Sequence, residues 1–255
     1  MVQERPTLYN FYDFRMSKIL KEGKIGSFEI KRKTIQARTV LNMYDGKKGR
    51  ILKGEYNFDY PIVTLLEDGH TWMSDSQIEI ESVMGAVCAA KGNILIGGLG
   101  IGLLPTFIKN KRGIKRIDIV EKHQEVIDLV FDQIKSPKMR IIKDDIFHYL
   151  DTTNNRYDFI HIDIWASITA PMREIDTARE KAKQCLTPNG VIWCWLQELY
   201  NRIKERLPKE PIEQTQSVAI HEPCLICGKI LRTDYAGLCM DCADEMEVSE
   251  LYLRR

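Results

Sequence analysis

The sequence has no apolar run long enough to cross a membrane, and its first residues lack the apolar core of a signal peptide. It also has no strong charge of either sign, because 37 Lys and Arg face 36 Asp and Glu. Three of the seven cysteines, Cys88, Cys185 and Cys194, have apolar neighbours, which is typical of reduced core thiols rather than disulfides. We therefore expect a cytoplasmic protein with no membrane partner.

A glycine-rich turn between two apolar runs is the most informative motif. The run Ile94–Ile96 leads into Gly97–Gly102, and the next run, Ile117–Val120, ends on Glu121, 21 residues after Gly100. Unbroken β-branched runs are typical of strands that are buried on both faces of a parallel sheet. Glycines let the backbone turn and approach a ligand, and a carboxylate at this spacing can accept both ribose hydroxyls. The pattern predicts a nucleotide site.

The glycine spacing distinguishes between nucleotides. A dinucleotide fingerprint has the spacing Gly-x-Gly-x-x-Gly, but here Gly98, Gly100 and Gly102 alternate, and Leu103 stands where the last glycine belongs. This pattern disfavours NAD and favours a single nucleoside.

Acidic residues end two further predicted strands. Met139–Ile142 leads to Asp144 and Asp145, and Tyr157–Ile162 leads to Asp163. Since the carboxyl ends of parallel strands meet at one crevice of an open α/β sheet, we expect these carboxylates to converge there.

The alternation of strands and helices predicts an α/β fold, a Rossmann-like, doubly wound and mainly parallel sheet over residues 76–207. Its first helix is predicted at Ser76–Ala90. Residues 1–75 are predicted to form a β-rich subdomain with turns at Asp45-Gly46 and Asp68-Gly69, the second of which joins Ile62–Glu67 to His70–Met73. A linker at 208–223 and a tail at 224–255 follow.

From Tyr60 to Leu196 the sequence resembles the class I S-adenosylmethionine-dependent transferases, and among them the spermidine synthase-like branch. The resemblance rests on the following motifs: Leu65–His70 with Ser74-Asp75, Gly98-x-Gly100-x-Gly102, Val120-Glu121-Lys122, Lys143–Phe147 and Tyr157–Asp163. It implies an enzyme that binds S-adenosylmethionine or its decarboxylated form.

The resemblance also implies roles for the acids. Glu121 would hold the ribose, Asp145 the adenine amino group, and the N–H of Ile146 an adenine ring nitrogen. Asp163 would be the catalytic residue beside the sulfonium. Asp144 is also assigned to the cofactor site; between the two aspartates the family register favours Asp145 for the adenine, and the alternative role of Asp144 is to cap the helix that begins at Ile146.

Three further predicted contacts complete the site. Leu99 and Lys122 accompany the glycines and Glu121 in the matched motifs and are assigned to the cofactor. Trp165, just past a strand end, is predicted to line the substrate pocket, although tryptophans often simply pack. His161 is predicted to be a core histidine.

One departure from the family affects the reaction. Aminopropyltransferases grip their amine with a second aspartate three residues after the first, but this chain has Ala166 there, followed by Ser167. Losing a charge-assisted hydrogen bond of about 1.5–3 kcal/mol disfavours classical polyamine synthesis. We therefore predict methyl transfer to a small-molecule acceptor. Aminopropyl transfer and a non-catalytic pseudo-transferase that binds a partner remain the alternatives.

Two Cys-x-x-Cys pairs, Cys224 with Cys227 and Cys239 with Cys242, lie 11 residues apart in the tail. Four thiolates suit tetrahedral zinc, and because they fill the coordination shell the site is predicted to be structural. Two redox or accidental pairs are the other interpretation.

Basic residues are concentrated near the N-terminus, where residues 1–60 hold 13 Lys and Arg but 7 Asp and Glu. Such an excess suits nucleic acid, but lysines also protect sheet edges, and without interleaved aromatics we favour the second explanation. The same β-rich part could join two copies into a homo-oligomer.

Overall fold

The computed structural model describes residues 15–37, 40–45, 50–55, 59–165 and 172–195. It confirms the predicted fold class: a five-stranded parallel sheet with flanking helices carries an antiparallel sheet on its N-terminal side. None of the helices in these ranges is long and apolar enough to cross a membrane.

The N-terminal part is a set of antiparallel pairs. Its strands are β1 Gly23–Ile25, β2 Phe28–Ile35, β3 Val40–Asp45, β4 Arg50–Glu55, β5 Tyr60–Glu67 and β6 His70–Ser74. One sheet has the order β1-β2-β5-β6, and β3 pairs with β4 separately. The hairpin predicted at Asp68-Gly69 joins β5 to β6, and Asp45 of β3 pairs with Arg50 of β4. The turn predicted at Asp45-Gly46 lies partly outside the described residues.

The parallel sheet and its helices follow. The strands are β7 Gly92–Gly97, β8 Ile114–Glu121, β9 Met139–Lys143, β10 Tyr157–Ile162 and β11 Leu186–Cys194. The helices are α1 Gln77–Ala89, α2 Leu103–Ile108, α3 Gln124–Ile134, α4 Ile146–Thr152 and α5 Met172–Lys183. The strand order is β11-β10-β7-β8-β9, and every pairing is parallel. The order reverses between β7 and β10, and ligands of such sheets bind at this switch point.

Side-chain alternation assigns each strand residue to one of two cores. Ile94, Ile96 and Phe159 pack with α1, α2 and α3, whereas Leu95 and Ile160 pack with α4 and α5. All five side chains are fully buried. Because the central strand β7 is covered on both faces, its residues Ile94–Ile96 are all apolar and show no alternation.

A buried carboxylate just before α1 links Ser17 to β5. Asp75, between β6 and α1, accepts hydrogen bonds from the backbone N–H groups of Val63 and Ser17 and has no exposed surface. Its pKa is raised by burial, which these hydrogen bonds partly offset. Asp75 therefore fixes the direction in which α1 leaves the N-terminal sheet.

Candidate functional site

A cavity of about 270 Å³ opens at the switch point between β7 and β10. The parallel sheet supplies its floor, and the N-terminal sheet contributes Phe28, Leu65, Trp72 and Met73 to its wall. Nine of the residues predicted from the sequence meet there: Gly98, Gly100, Glu121, Lys122, Asp144, Asp145, Ile146, Asp163 and Trp165.

Close packing explains two glycines of the loop. Gly98 has a φ of 93°, and a Cβ there would lie 2.3 Å from the backbone oxygen of Asp163. Gly100 has a φ of 50°, and its Cβ would lie 2.4 Å from Sδ of Met73. The loop after β7 therefore touches the end of β10 on one side and β6 on the other.

Two predicted cofactor residues lie outside the lining of this cavity. Gly102 is the N-cap of α2, and a Cβ there would lie 2.3 Å from Cδ1 of Ile134 on α3. Leu99 is buried, and its backbone N–H donates to Oε2 of Glu121 at 2.8 Å. Gly102 permits close helix packing, while Leu99 reaches the site through its backbone.

Glu121 ends β8 with its carboxylate turned into the cavity, and only 7% of the residue is exposed. Its Oε1 accepts the backbone N–H of His123 at 2.8 Å, in addition to the bond from Leu99. Each oxygen keeps a second lone pair for a ligand. The carboxylate is thus held by backbone donors on both sides and is preorganised to accept hydroxyl groups.

Asp145 has the helix-capping role that was predicted for its neighbour Asp144. Asp145, not Asp144, is the N-cap of α4, and its Oδ1 accepts the N–H of Phe147 at 2.8 Å. Asp144 accepts the N–H of Asp145 and contacts Nδ1 of His148 at 2.9 Å. The prediction that Asp144 caps this helix is therefore wrong, because the helix begins at Ile146 and the residue before it, Asp145, has the extended backbone and the side-chain hydrogen bond of a cap.

Asp145 keeps one oxygen available. Its Oδ2 lies 3.7 Å from Nζ of Lys122, and 41% of its side chain is exposed. Lys122 is the only lysine or arginine among the described residues that line the cavity. The part of the cavity near β8 and β9 therefore has three carboxylates, those of Glu121, Asp144 and Asp145, against one lysine, and is rich in hydrogen-bonding groups.

Two further carboxylates, those of Glu79 and Asp163, line the cavity and lie near enough for the charge of Asp163 to act on Glu79. Strand alternation places Asp163 on the same side as His161, towards α1, and Glu79 lies in the first turn of α1. Burial raises the pKa of Asp163 to about 7. Burial, together with the charge of Asp163, raises the pKa of Glu79 to about 8. These two acids retain protons near neutral pH.

Sequence reasoning missed Glu79. It stands in Gln77-Ile78-Glu79-Ile80-Glu81, which has the composition of a solvated helix surface. A signal was nevertheless present, since Glu79 precedes Val83 by four residues and Ala86 by seven, and both are fully buried. An acid on the buried stripe of a helix indicates a special environment.

Aromatic rings form the walls beside these acids. Trp165 is 9% exposed and its Nε1 donates to Glu174 on α5 at 3.1 Å. Nε1 of Trp195 donates to Oγ of Ser82 at 3.3 Å, and Trp72 closes the side towards the N-terminal sheet. These hydrogen bonds hold the indoles of Trp165 and Trp195 in fixed orientations.

His161 lies behind Asp163 as a core residue. It is 2% exposed, and its Nε2 is 4.0 Å from Oδ2 of Asp163. Burial lowers its pKa to about 4, although a hydrogen bond to the backbone of Trp193 opposes this shift. The imidazole is therefore neutral at physiological pH and does not neutralise Asp163.

We expect Glu79 and Asp163 to make the stability of the fold depend on pH. Glu79 and Asp163 have folded-state pKa values above their ordinary values, so the folded chain binds more protons between about pH 4 and pH 8. Stability must then fall as pH rises through this window. We expect Glu79→Gln to raise the unfolding midpoint by several degrees at pH 9 and by little at pH 5, because 1 kcal/mol moves it by about 2–4 °C.

Differential scanning calorimetry at both pH values measures this effect. Glu180→Gln is the matched control, because Glu180 is exposed on α5, away from the cavity lining, and pairs with the exposed Lys183. A Glu79→Gln chain that melts below the wild type at pH 9 would contradict the raised pKa.

Metal binding by the described residues has no support, since they contain no group of three or more His, Cys, Asp or Glu with suitable geometry. The four predicted zinc ligands, Cys224, Cys227, Cys239 and Cys242, lie outside the described residues, as do Ala166, the linker and the tail. The zinc site therefore stays a prediction.

Comparison with known proteins finds similarity only at the level of structure. No family model matches the chain, and no curated protein matches it in sequence. A spermidine synthase from Thermotoga maritima aligns with 68% of this chain and 72% of its own, at 17% identity and a TM-score of 0.42. The structure of human methyltransferase-like protein 13 in complex with S-adenosylhomocysteine aligns over 51% of this chain and 68% of its own length, at 21% identity and a TM-score of 0.36.

The N-methyltransferase NodS from Bradyrhizobium japonicum is a third similar structure. It aligns with 44% of this chain at 19% identity and a TM-score of 0.35, and the chain spans 60% of its length. At these identities the likeness concerns the fold, and the activity has to be argued from the site.

Proposed function

We propose that this protein is a transferase that binds S-adenosylmethionine and transfers its methyl group to a small-molecule acceptor. The observation that carries the proposal is the convergence of Gly98, Glu121 and Asp145 on one cavity at the switch point of the sheet. This arrangement combines a close backbone approach with two carboxylates held by backbone donors. It suits a nucleoside that has no phosphate, because Lys122 is the only described lysine or arginine in the lining.

Each group has a role in this proposal. Glu121 accepts the ribose hydroxyls, the free oxygen of Asp145 accepts the adenine amino group, and the N–H of Ile146 faces an adenine ring nitrogen. The methionine part then extends from the glycine loop towards Asp163. The sulfonium is already activated, so the protein contributes mainly alignment of the acceptor and removal of its proton.

Aminopropyl transfer is the second candidate, and Glu79 is the observation that favours it. The family pattern lacks its second aspartate at Ala166, but Glu79 brings a second carboxylate to Asp163 from another element. An amine-binding end can therefore exist without the family's own residue.

The reaction products test the proposal and separate its two forms. The chain is incubated with S-adenosylmethionine, or separately with its decarboxylated form, and a panel of amines, alcohols and thiols. Methyl transfer releases S-adenosylhomocysteine, whereas aminopropyl transfer releases methylthioadenosine, and both are resolved by liquid chromatography with mass spectrometry. We expect S-adenosylhomocysteine. If neither thioether forms with any acceptor while the cofactor binds, the pseudo-transferase alternative replaces this proposal.

For the tail we propose one structural zinc ion held by Cys224, Cys227, Cys239 and Cys242, on the basis of the tandem pairs in the sequence. Elemental analysis of the purified chain is expected to give about one zinc per chain. Cys227→Ser should reduce this content, whereas Cys88→Ser, which changes an exposed cysteine outside the pairs, should preserve it. A wild-type chain without zinc after purification in zinc-supplemented buffer would contradict the site.

A further inference from the structure

Three of the four tryptophans in the sequence line the cavity at the switch point. They are Trp72 on β6, Trp165 after β10 and Trp195 after β11. The cofactor assignment uses none of them, because its groups follow β7, β8 and β9. Large aromatic side chains that come together from three separate elements indicate that the space between them receives a ligand with an apolar surface.

The strand order places two of these indoles at the acceptor end of the cavity. β10 and β11 are neighbours in the sheet, and the backbone N–H of Trp195 donates to the carbonyl oxygen of Ile162 at 3.0 Å. Trp165 follows Asp163 by two residues. Trp165 and Trp195 therefore line the part of the cavity next to Asp163, which the proposed function assigns to the reacting sulfonium and the acceptor.

Hydrogen bonds to the protein already occupy the single polar atom of each of these two indoles. Nε1 of Trp165 donates to Oε2 of Glu174 at 3.1 Å. Nε1 of Trp195 donates to Oγ of Ser82 at 3.3 Å, and this hydroxyl itself donates to the carbonyl oxygen of Glu79 at 2.8 Å. The surface that both rings offer a ligand is therefore apolar carbon, which favours packing against another ring.

The carboxyl groups beside these rings suit a weakly acidic hydroxyl. Burial raises the pKa of Asp163 to about 7, and burial together with the charge of Asp163 raises the pKa of Glu79 to about 8. A base with a pKa near the working pH is well matched to remove a proton in the transition state. A phenolic hydroxyl, with a pKa of about 10, gives up its proton to such a base far more readily than an aliphatic alcohol does.

We propose that the acceptor is a planar aromatic hydroxy compound, a phenol or its fused-ring equivalent, whose ring packs against Trp72, Trp165 and Trp195 and whose hydroxyl faces Asp163. The inference deepens the proposed function and rests on it for the reaction, but the binding of the ring needs no turnover. It makes the three tryptophans determinants of acceptor specificity.

One proton and one methyl group move in this reaction. The hydroxyl proton passes to the ionised carboxylate of Asp163 while the phenolic oxygen forms a bond to the methyl carbon. The C–S bond breaks and its electron pair stays on sulfur. The products are an aryl methyl ether and S-adenosylhomocysteine, and the proton on Asp163 leaves to water when the ether dissociates.

Matched aromatic and saturated alcohols test the ring contact without turnover. Calorimetric titrations on the full chain, with and without saturating S-adenosylhomocysteine, compare 2-naphthol with 2-decalol, which has the same carbon skeleton but no flat ring. Hexylamine is the aliphatic amine probe. We expect 2-naphthol to bind about 10-fold or more tightly than either, because aromatic pairs gain affinity beyond the area that they bury.

Variants of the cavity wall test which rings are responsible. Trp72→Leu should reduce the ratio of the 2-naphthol and 2-decalol affinities by about 2- to 10-fold, whereas Trp72→Phe, which keeps a ring, should retain most of it. Trp195→Leu is the second wall variant, with the same expected loss. Trp193→Leu is the control, because this tryptophan packs against Gly85 outside the described lining, and it should leave the ratio unchanged. A ratio measured on one variant does not change through a general loss of folded protein.

The reaction is tested by incubating the chain with S-adenosylmethionine and a panel of phenols and naphthols, with the aryl methyl ethers detected by mass spectrometry. We expect an ether from at least one of them. Equal binding of 2-naphthol and 2-decalol, tighter binding of hexylamine, or a preference that survives both leucine variants of the wall would overturn the inference, as would bound phenols that give no ether. Retained binding of S-adenosylhomocysteine would then leave the proposed function standing. A wild-type chain that does not bind S-adenosylhomocysteine would instead remove the proposed function, and the titrations without it would still decide the ring contact.

Discussion

Glu121→Ala is expected to weaken the binding of S-adenosylhomocysteine by about 100-fold or more. The carboxylate is proposed to accept two ribose hydroxyls, and hydrogen bonds to a charged group contribute about 1.5–3 kcal/mol each. The substitution also leaves the N–H groups of Leu99 and His123 without their acceptor, so the loop after β7 loses its anchor. Calorimetric titration of the wild type and the variant measures the loss.

Glu180→Ala controls for the removal of a glutamate elsewhere, because Glu180 lies on the exposed surface of α5 and forms an exposed ion pair with Lys183. It should bind like the wild type. Glu121→Gln, which retains one acceptor oxygen, should fall between the wild type and the alanine variant. An alanine variant that binds within threefold of the wild type would show that the nucleoside does not use Glu121.

Gly98→Ala is expected to lower the free energy of unfolding by about 2–6 kcal/mol, the largest effect on stability among single changes in the loop. A left-handed backbone contributes about 1–3 kcal/mol of strain for an alanine, and a contact that cannot relax adds about 1–3 kcal/mol. The new Cβ would lie 2.3 Å from the backbone oxygen of Asp163, so β7 and β10 would have to separate. Urea unfolding followed by circular dichroism measures the change.

Gly113→Ala separates the contribution of backbone strain from the contribution of the close contact. Gly113 has a φ of 90°, nearly that of Gly98, but a Cβ there would meet nothing within 4 Å. It should therefore show the strain term alone, about 1–3 kcal/mol. If Gly98→Ala is no less stable than Gly113→Ala, the close approach of the loop to Asp163 is not required for the fold.

The sequence predicts the parallel sheet well because the sheet is buried on both faces. Ile94–Ile96 is an unbroken apolar run because it is covered by helices on both sides. Ile117–Val120 is apolar except for Asp118, which is buried and accepts hydrogen bonds from Arg140 and Tyr157. The hairpin at Asp68-Gly69 is equally local, since the turn residues themselves set the register. In both places, neighbouring residues along the chain determine the structure.

The candidate site is less predictable, because it joins residues that are distant in sequence. The glycines, Glu121 and Asp145 follow strands at characteristic spacings, so a motif reveals them. No sequence motif links Glu79 to Asp163. The packing of α1 on the sheet brings both residues to one cavity. The helix α4 begins at Ile146 as predicted, but its cap is Asp145; two adjacent aspartates offer the same capping chemistry, and hydrophobic periodicity does not distinguish them.

The central claim is that the cavity at the switch point binds an S-adenosyl nucleoside. Isothermal titration calorimetry with S-adenosylmethionine, its decarboxylated form and methylthioadenosine tests it most directly, because the three share the nucleoside and differ in the chain on sulfur. We predict one molecule of S-adenosylmethionine per chain, weaker binding of methylthioadenosine at the same site, and loss of both in Glu121→Ala. A wild-type chain that binds none of the three would contradict the claim.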